Sequence, residues 1–513
     1  MAVSRAKVMG LVIASVGVFL GIAVALIVVL SNLQSRAFAR EPLTVRLDNA
    51  GPYLILSTKS AANEYADGVA LATKLHPKAV VKLFSPENLS AAKILLHEHQ
   101  PHYVMIFIRP DELDVNFAWQ WLKLTTEVDA DPFVDVRTGF ITGESPQAVN
   151  AFVQRIINVV EGRKKLSATF VDNLGHNSMA AKTAFFKDFG NFYIPILGER
   201  VSLYTISHGS QGFSKERLGS MDLSGVVHFG GHGYPDGIVD GLRAVDVRDL
   251  KLAPCVVFNG ACYTGVTWRW FDFRSGKIKE KQIQSEDSFC LGMLTNNVVG
   301  YFAALHPDHG IPVYQEMEYM ATSGASLGDI IKHTHDGVII GAGGKLPDFE
   351  TMSDSMARPR WTPADFMLRG TAARVLFGDP ALVITDSFTD LPFEVTVKKK
   401  NETILGITAL LKNTMLKSTY TDTYYSDMSK TKQFNDRALI VCDLPQGFET
   451  VRNVKVIKVE AAGNRLSHRL IGYGVEKERD KHRLHVQVDL PSSGYMESTF
   501  RQRGAVVNIL VEQ

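Results

Sequence analysis

Hydrophobic and polar residues change their spacing along the chain, and each change predicts a different kind of structure. Apolar residues form one uncharged run from Met9 to Leu30, recur at helix and strand spacings as far as Ile384, and then alternate in short β-rich runs. At 513 residues the chain is long enough for about three domains. We therefore predict a membrane segment, an α/β region and an all-β region, in that order.

The first 40 residues contain the predicted membrane segment. The run from Met9 to Leu30 is long enough to cross a bilayer as a helix. A cleavable signal peptide has a shorter apolar core, of about 7–15 residues, which favours an uncleaved anchor. The sequence from Ala37 to Ala39 resembles a small-residue cleavage site, so export with cleavage stays an alternative. We expect residues 1–40 to be this anchor or signal, with the remaining chain outside the cytoplasm.

Predicted strands and helices alternate through the middle of the chain. Apolar runs such as Pro52 to Thr58 predict strands, and the spacing between Ser145 and Gly162 predicts a helix. Ser145 is a favourable N-cap and Gly162 a favourable stop signal. Because strands that alternate with helices favour parallel sheets covered on both faces, we predict two doubly wound α/β subdomains with mainly parallel sheets, over residues 41–163 and 164–390.

The pattern after Asp390 is different. Short runs rich in β-branched residues are separated by polar turns, and several of them alternate between apolar and polar positions. No helical period is visible in this region. Such a pattern is typical of an antiparallel sandwich. We therefore predict an all-β, immunoglobulin-like sandwich over residues 391–513.

Charge and cysteine content exclude several classes of protein. The chain has 55 Lys and Arg against 54 Asp and Glu, so it lacks the strong positive field of a nucleic-acid-binding protein. Its 4 cysteines are scattered and none forms a CxxC pair. This argues against a disulfide scaffold and against a structural zinc site of that type.

Two predicted strands end in glycine-flanked residues that can carry chemistry. The stretch "VVHFGGHG" leads to His232, and "CVVFNGACYTG" leads to Cys262, 30 residues further on. One crossover fits in that interval, so adjacent parallel strands could bring both carboxyl ends to one edge of a sheet. An imidazole there could take the thiol proton, and the thiolate is the strong nucleophile. Neighbouring glycines such as Gly233 let backbone amides approach a developing oxyanion.

Structural roles are the alternative for most of the histidines and cysteines. We predict that His228 faces the core, that Cys255 and Cys290 serve packing, and that His333 and His335 are surface groups near a helix end. A metal site of His228 and His232 would need a helix to align the two rings, but two glycines separate them.

The motifs "HFGGHG", "FNGACYTG" and "VLFGDPAL" together resemble the gingipain family of cysteine peptidases, in the wider caspase–legumain clan. The clan's pattern is one strand ending in His-Gly and another ending in Ala-Cys, here His232-Gly233 and Ala261-Cys262. The resemblance extends from about Pro52 to Ile384. It implies caspase-like α/β subdomains and a hydrolase that cleaves peptide bonds in protein or peptide substrates.

The resemblance also implies residue roles. Cys262 would be the nucleophile, His232 the acid and base, and the amides of Gly233 and Cys262 the oxyanion hole. Asp135 would orient the histidine, although "VDVRTGF" departs from the family's usual Gly-Arg at this point.

The residue preference before the scissile bond stays open, because relatives cut after basic, acidic or amide residues. We assign Asp236, Asp240 and His306 to the substrate pocket. No cofactor is required by this chemistry, and calcium at the acidic stretches "EVDADPFVD" or "YPDGIVDG" is left open.

Two other functions compete with the peptidase. The first is a catalytically inactive, peptidase-like surface or scaffold protein that binds a protein partner; the presence of both His232 and Cys262 argues against it. The second is a metal-dependent hydrolase that uses His228, His232 and the acidic loop.

Overall fold

A computed structural model of the chain describes residues 41–174, 202–207, 224–238, 242–272, 278–308, 312–346, 369–386, 393–411, 435–491 and 504–513. The predicted anchor from Met9 to Leu30 lies outside these ranges. Among the helices within them, none combines the length and the apolar character needed to cross a bilayer.

The α/β region contains seventeen strands in its described part. They are β1 Arg46–Leu47, β2 Tyr53–Thr58, β3 Val80–Phe84, β4 Tyr103–Phe107, β5 Arg137–Ile141, β6 Thr169–Leu174, β7 Ser202–Ser207, β8 Val226–Gly230, β9 Gly233–Tyr234, β10 Gly237–Ile238, β11 Leu242–Arg243, β12 Cys255–Asn259, β13 Arg269–Asp272, β14 Lys279–Gln282, β15 Val298–Ala304, β16 Arg374–Gly378 and β17 Leu382–Val383.

Helices lie between these strands. They are α1 Lys59–Glu64, α2 Ala66–Leu75, α3 Leu89–His99, α4 Val115–Thr125, α5 Pro146–Val160, α6 Ala244–Arg248, α7 Phe289–Thr295, α8 Pro312–Ser323 and α9 Leu327–Gly341. The predicted capped helix is confirmed as α5. Its N-cap Ser145 accepts a hydrogen bond at Oγ from the amide of Ala148, at 3.2 Å. Gly162 follows with a φ of +72°, a conformation that favours glycine.

One ten-stranded sheet, in the order β3-β2-β4-β5-β16-β15-β12-β8-β6-β7, forms the centre of the α/β region. Every neighbouring pair is parallel except β15 with β16, which confirms the predicted parallel-rich architecture. Most of its central strands are buried along their whole length, as expected for a sheet covered on both faces.

The two predicted subdomains share this sheet. Strands β2 to β5 come from the first and β6, β7, β8, β12, β15 and β16 from the second, and they join where β5 meets β16. At the join, Phe140 pairs with Phe377. The backbones also come close at Gly139, where an added Cβ would lie 2.2 Å from the carbonyl oxygen of Gly378.

The carboxyl-terminal region is entirely β-structure in its described part, as predicted. Its strands are β18 Phe393–Asn401, β19 Ile404–Leu411, β20 Asn435–Asp443, β21 Asn453–Ala461, β22 Asn464–Arg465, β23 Arg469–Glu478, β24 Lys481–Pro491 and β25 Val506–Glu512. They form two antiparallel sheets, β18-β19-β25-β21-β22 and β20-β24-β23. Alternate residues of β19 and β25, among them Leu405 and Val507, bury their side chains in a separate core.

The sandwich covers α9 with charged as well as apolar side chains. Lys332 of α9 pairs with Asp336 on the same helix and with Glu476 of β23, and all three are buried. The prediction that His333 and His335 are surface groups near a helix end is wrong for His335, which is buried. His333 is half-buried, and both residues lie near the middle of α9. The Nε2 atom of His335 lies 3.1 Å from the carbonyl oxygen of Arg374, and burial lowers the pKa of this imidazole to about 4.

A buried ion cluster stabilises the region where β12, β15 and β16 meet. Arg374, at the start of β16, has no access to solvent and binds Glu316 with two hydrogen bonds of 2.7 Å. The same guanidinium binds the carboxylate of Asp308 at 2.6 Å and the carbonyl oxygen of Asn259 at 3.0 Å. It therefore connects the end of β12 with the segment that follows β15.

Replacing Arg374 by Met should leave Glu316 and Asp308 buried without their cation. We expect Arg374→Met to lower the free energy of unfolding by about 3–5 kcal/mol, measured from the urea midpoint by tryptophan fluorescence. The matched control is Arg243→Met, because Arg243 pairs with Asp236 while 60% and 45% of the two side chains are exposed. The control should lose less than about 1 kcal/mol. Equal losses would show that the buried cluster does not stabilise the fold.

Candidate active site

The strands that precede His232 and Cys262 are direct neighbours. β8 and β12 are parallel, and their register runs from Val226 with Val256 to Phe229 with Asn259. His232 follows β8 by two residues and Cys262 follows β12 by three. Both residues therefore lie at the same edge of the sheet, where parallel α/β folds carry their functional groups.

The loops after these strands touch at Gly233. A Cβ added to Gly233 would lie 2.4 Å from the carbonyl oxygen of Cys262 and 2.9 Å from Cβ of Ala261. No larger residue fits without a shift of the backbone. This close approach lets the Gly233 amide point at the Cys262 sulfur, together with the amides of Cys262 itself and Asp308.

The Cys262 thiol is half-buried and held by the backbone of Asp308. Its Sγ donates to the Asp308 carbonyl oxygen at 2.9 Å and accepts from the Asp308 amide at 3.3 Å. Burial raises the pKa of this thiol to about 11, and the Asp308 carboxylate adds to the shift while the three amides oppose it. The resting group is therefore a protonated thiol at neutral pH.

The two histidines of the first motif have different surroundings. His232 is exposed beyond the end of β8, after Gly231 with its φ of +152°. His228 is fully buried within β8, which confirms its predicted position in the core. Cys255 and Cys290 are buried, as predicted, and burial raises the pKa of both thiols.

Residues beyond the predicted set fix the loop that carries Cys262. The side chain of Asn259 accepts from the Ala261 amide at 2.8 Å and donates to the Tyr301 hydroxyl at 3.1 Å. That hydroxyl donates to the carbonyl of Thr264 at 2.9 Å. The only sequence signal for this frame was a polar residue at the end of an apolar strand, in "CVVFNGAC".

The predicted pocket residues lie in three different settings. His306 is buried beside the loop, its carbonyl 3.5 Å from the Tyr263 amide, and burial lowers the pKa of its imidazole to about 3. Asp236 pairs with Arg243 on an exposed turn. Asp240 lies outside the described residues. Their part in a substrate pocket stays a prediction.

Asp135 lies in an acidic loop with Asp129 and Asp131, and one carboxylate oxygen of each falls within 4.8 Å of the other two. Burial, with the charges of its two neighbours, raises the pKa of Asp135 to about 8. Its Oδ2 atom is buried and has no hydrogen-bond partner within the described residues. The charged groups that shift the pKa of Asp135 are Asp129, Asp131 and Lys332, and its orientation of His232 stays a prediction.

These three carboxylates fit calcium, which prefers oxygen ligands. A divalent cation would reduce the repulsion between the three carboxylates. It would also give the buried Oδ2 atom of Asp135 a partner. The clusters of metal-binding side chains in the described part of the chain include neither His228 nor His232.

No protein-family model matches the chain, and no curated protein matches it. Among solved structures, the chain is similar to one titled "Structure of Protease", with a TM-score of 0.45 and 11% identity over 91% of this chain and 98% of that one. It is also similar to the Arg specific cysteine proteinase gingipain R, with a TM-score of 0.44 and 11% identity over 86% of this chain and 93% of that one.

The separase–securin complex of Saccharomyces cerevisiae gives a TM-score of 0.34 and 12% identity, over 54% of this chain and 15% of that one. The chain itself has a mixed α/β arrangement with a parallel-rich central sheet.

Proposed function

We propose that the chain is a cysteine-type endopeptidase in which Cys262 is the nucleophile and His232 is the general acid and base. The observation that carries the proposal is the contact between Gly233 and Cys262 at the ends of two adjacent parallel strands. This contact joins a histidine-bearing loop to a thiol and aims backbone amides at the same point.

In the first step, His232 takes the proton of Cys262 and the thiolate attacks the carbonyl carbon of the scissile bond. A base is needed because the resting thiol has a pKa of about 11. The negative charge moves to the carbonyl oxygen, where the amides of Gly233 and Cys262 stabilise it. When the tetrahedral intermediate collapses, His232 returns the proton to the leaving amine and a thioester remains on Cys262.

In the second step, water replaces the amine. His232 removes a proton from the water molecule as it attacks the thioester, a second tetrahedral intermediate forms, and the carboxylic acid leaves as Cys262 recovers its proton. Substrate entry also has to break the hydrogen bond from Cys262 to the Asp308 carbonyl, since that bond occupies the thiol proton.

The same proposal covers the substrate, the cellular location and a calcium ion. The substrate is a protein or peptide, bound near Asp236, Asp240 and His306, and the catalytic region lies outside the cytoplasm. Calcium, when bound, would neutralise the acidic loop, with Asp129, Asp131 and Asp135 as its ligands. Its effect is on stability, because the chemistry above uses only the chain's own groups.

The competing function is an inactive, peptidase-like protein that binds a partner. The raised pKa of Cys262 favours it, because a protonated and half-buried thiol is inert by itself. The two functions differ in whether His232 activates the thiol when a peptide is bound.

Loss of either member of the dyad tests catalysis. We expect Cys262→Ala and His232→Ala to lower kcat/KM on a mixed peptide library by at least about 1000-fold while the melting temperature stays unchanged. The matched controls are Cys442→Ala in the sandwich and His97→Ala on the surface of α3, and both should keep full activity. Peptide cleavage by the Cys262→Ala chain would contradict the proposal.

Thiol labelling tests activation separately from turnover. Because the pKa of Cys262 is about 11, we expect the rate of its alkylation by iodoacetamide to rise about tenfold per pH unit from pH 7 to pH 10. A peptidyl acyloxymethyl ketone should instead label Cys262 at pH 7, and His232→Ala should abolish that reaction. Equal labelling of wild type and His232→Ala by the peptide reagent would support the inactive scaffold. Mass spectrometry of the labelled peptide reports both rates.

The acidic loop predicts a pH-dependent stability. The pKa of Asp135 is raised, so between about pH 4 and pH 8 the unfolded chain loses this proton while the folded chain keeps it, and stability falls as pH rises. In the presence of a chelator, Asp135→Asn should reduce this fall in melting temperature. Calcium in place of the chelator should restore stability at pH 8 in wild type but not in Asp135→Asn. Asp67→Asn, at an exposed position of α2, should behave like wild type. An equal response to calcium in Asp135→Asn would rule out this site.

A further inference from the structure

A second group of metal-binding side chains lies away from the thiol, in a polar cavity of about 990 Å³ between α9 and the β-sandwich. Its members are Asp48, which follows β1, His102, which precedes β4, and Asp329 in α9. The side-chain hydrogen bonds of the two carboxylates go to Ala50, Tyr103, Arg137 and Ser326, none of which belongs to the proposed catalytic site. The group is therefore independent of the proposed catalytic site.

The three side chains offer one nitrogen and two oxygens to a common point. One ligand atom of each lies within 4.8 Å of the other two. The centre of such a triangle is within about 2.8 Å of every corner, and zinc binds nitrogen and oxygen at about 2.0–2.2 Å. Each atom therefore has to move inward by at most about 0.8 Å to reach that distance.

Hydrogen bonds already hold the two carboxylates in place. The Tyr103 hydroxyl donates to Asp48 at 2.5 Å and lies 3.3 Å from the Ser326 hydroxyl, which donates to Asp329 at 2.8 Å. The Nε atom of Arg137 donates to the other oxygen of Asp329, also at 2.8 Å. A carboxylate oxygen accepts more than one partner, so these bonds leave lone pairs for an ion. Such supporting bonds are the usual environment of metal ligands.

The imidazole of His102 is ready to act as a ligand. Its ring stands edge-on to Tyr103, with centroids 4.6 Å apart, and within the described residues no hydrogen bond engages its nitrogens. The backbone of Gly51 packs closely against His102. A Cβ added to Gly51 would lie 2.6 Å from Cβ of His102.

We propose that Asp48, His102 and Asp329 bind a divalent transition-metal ion of the zinc type, with water as the fourth ligand. An imidazole with two carboxylates suits zinc, whereas calcium and magnesium prefer oxygen ligands alone. The two carboxylates neutralise the ion. The positive charge of Arg137 is compensated by Glu478, to which it also donates a hydrogen bond.

The ion has a structural role. It joins the segment after β1 to the central sheet and to α9, three parts of the chain that are distant in sequence.

Zinc binding by the full chain tests the proposal. We use Cys262→Ala as the background for every variant, because this removes the thiol as an alternative zinc ligand and makes the result independent of the proposed peptidase function. After chelation and dialysis against a slight excess of zinc, we expect elemental analysis to find about one zinc per chain. Cobalt in place of zinc should give a visible d–d absorption band that saturates at about one cobalt ion per chain.

His102→Gln and Asp48→Asn should each weaken zinc binding by at least about tenfold, and zinc should raise the melting temperature of the background chain but not of these variants. The matched control is His97→Ala, which removes an exposed histidine and should bind zinc like the background chain. Circular dichroism verifies that each variant is folded. Binding of less than about 0.2 zinc per background chain, or equal binding by folded His102→Gln, would overturn the proposal.

Discussion

A guanidinium group without access to solvent has to be paired, and Arg374 meets this constraint with three partners around the strand that leads to Cys262. Two of its bonds go to Glu316, and the others go to the carbonyl of Asn259 and the carboxylate of Asp308. Asn259 ends β12, and the backbone of Asp308 holds the Cys262 sulfur. The position of the thiol therefore depends on a charge that lies outside the motifs around His232 and Cys262.

The features that the sequence could predict are those that depend on residues close together in the chain. Local periodicity and capping predicted β8, β12 and α5, because hydrophobic spacing and the Ser145 cap are properties of short segments. The meeting of the His232 and Cys262 loops at one edge followed from strand order and crossover rules. The all-β region was likewise visible in its alternating positions, such as those of β19.

The remaining features depend on contacts between distant segments. Nothing in the periodicity reveals that β5 pairs with β16, or that the sandwich covers His335 and turns a predicted surface group into a buried one. The neighbours of Asp135 are visible in the sequence, but their convergence within 4.8 Å depends on how the loop folds. Asp308 and Arg374 were missed because 66 residues separate the partners of that ion pair.

The join between the two halves of the sheet also has a mechanical consequence. β5 and β16 share one residue pair in register, whereas β4 and β5 share five. Because ladder hydrogen bonds resist sliding between strands, the sheet itself resists shear least at this seam. Contacts outside the ladder, such as those of Tyr53 and His76 with Asp379, therefore have to bear much of such a force, while the strands of His232 and Cys262 lie together on one side of the seam.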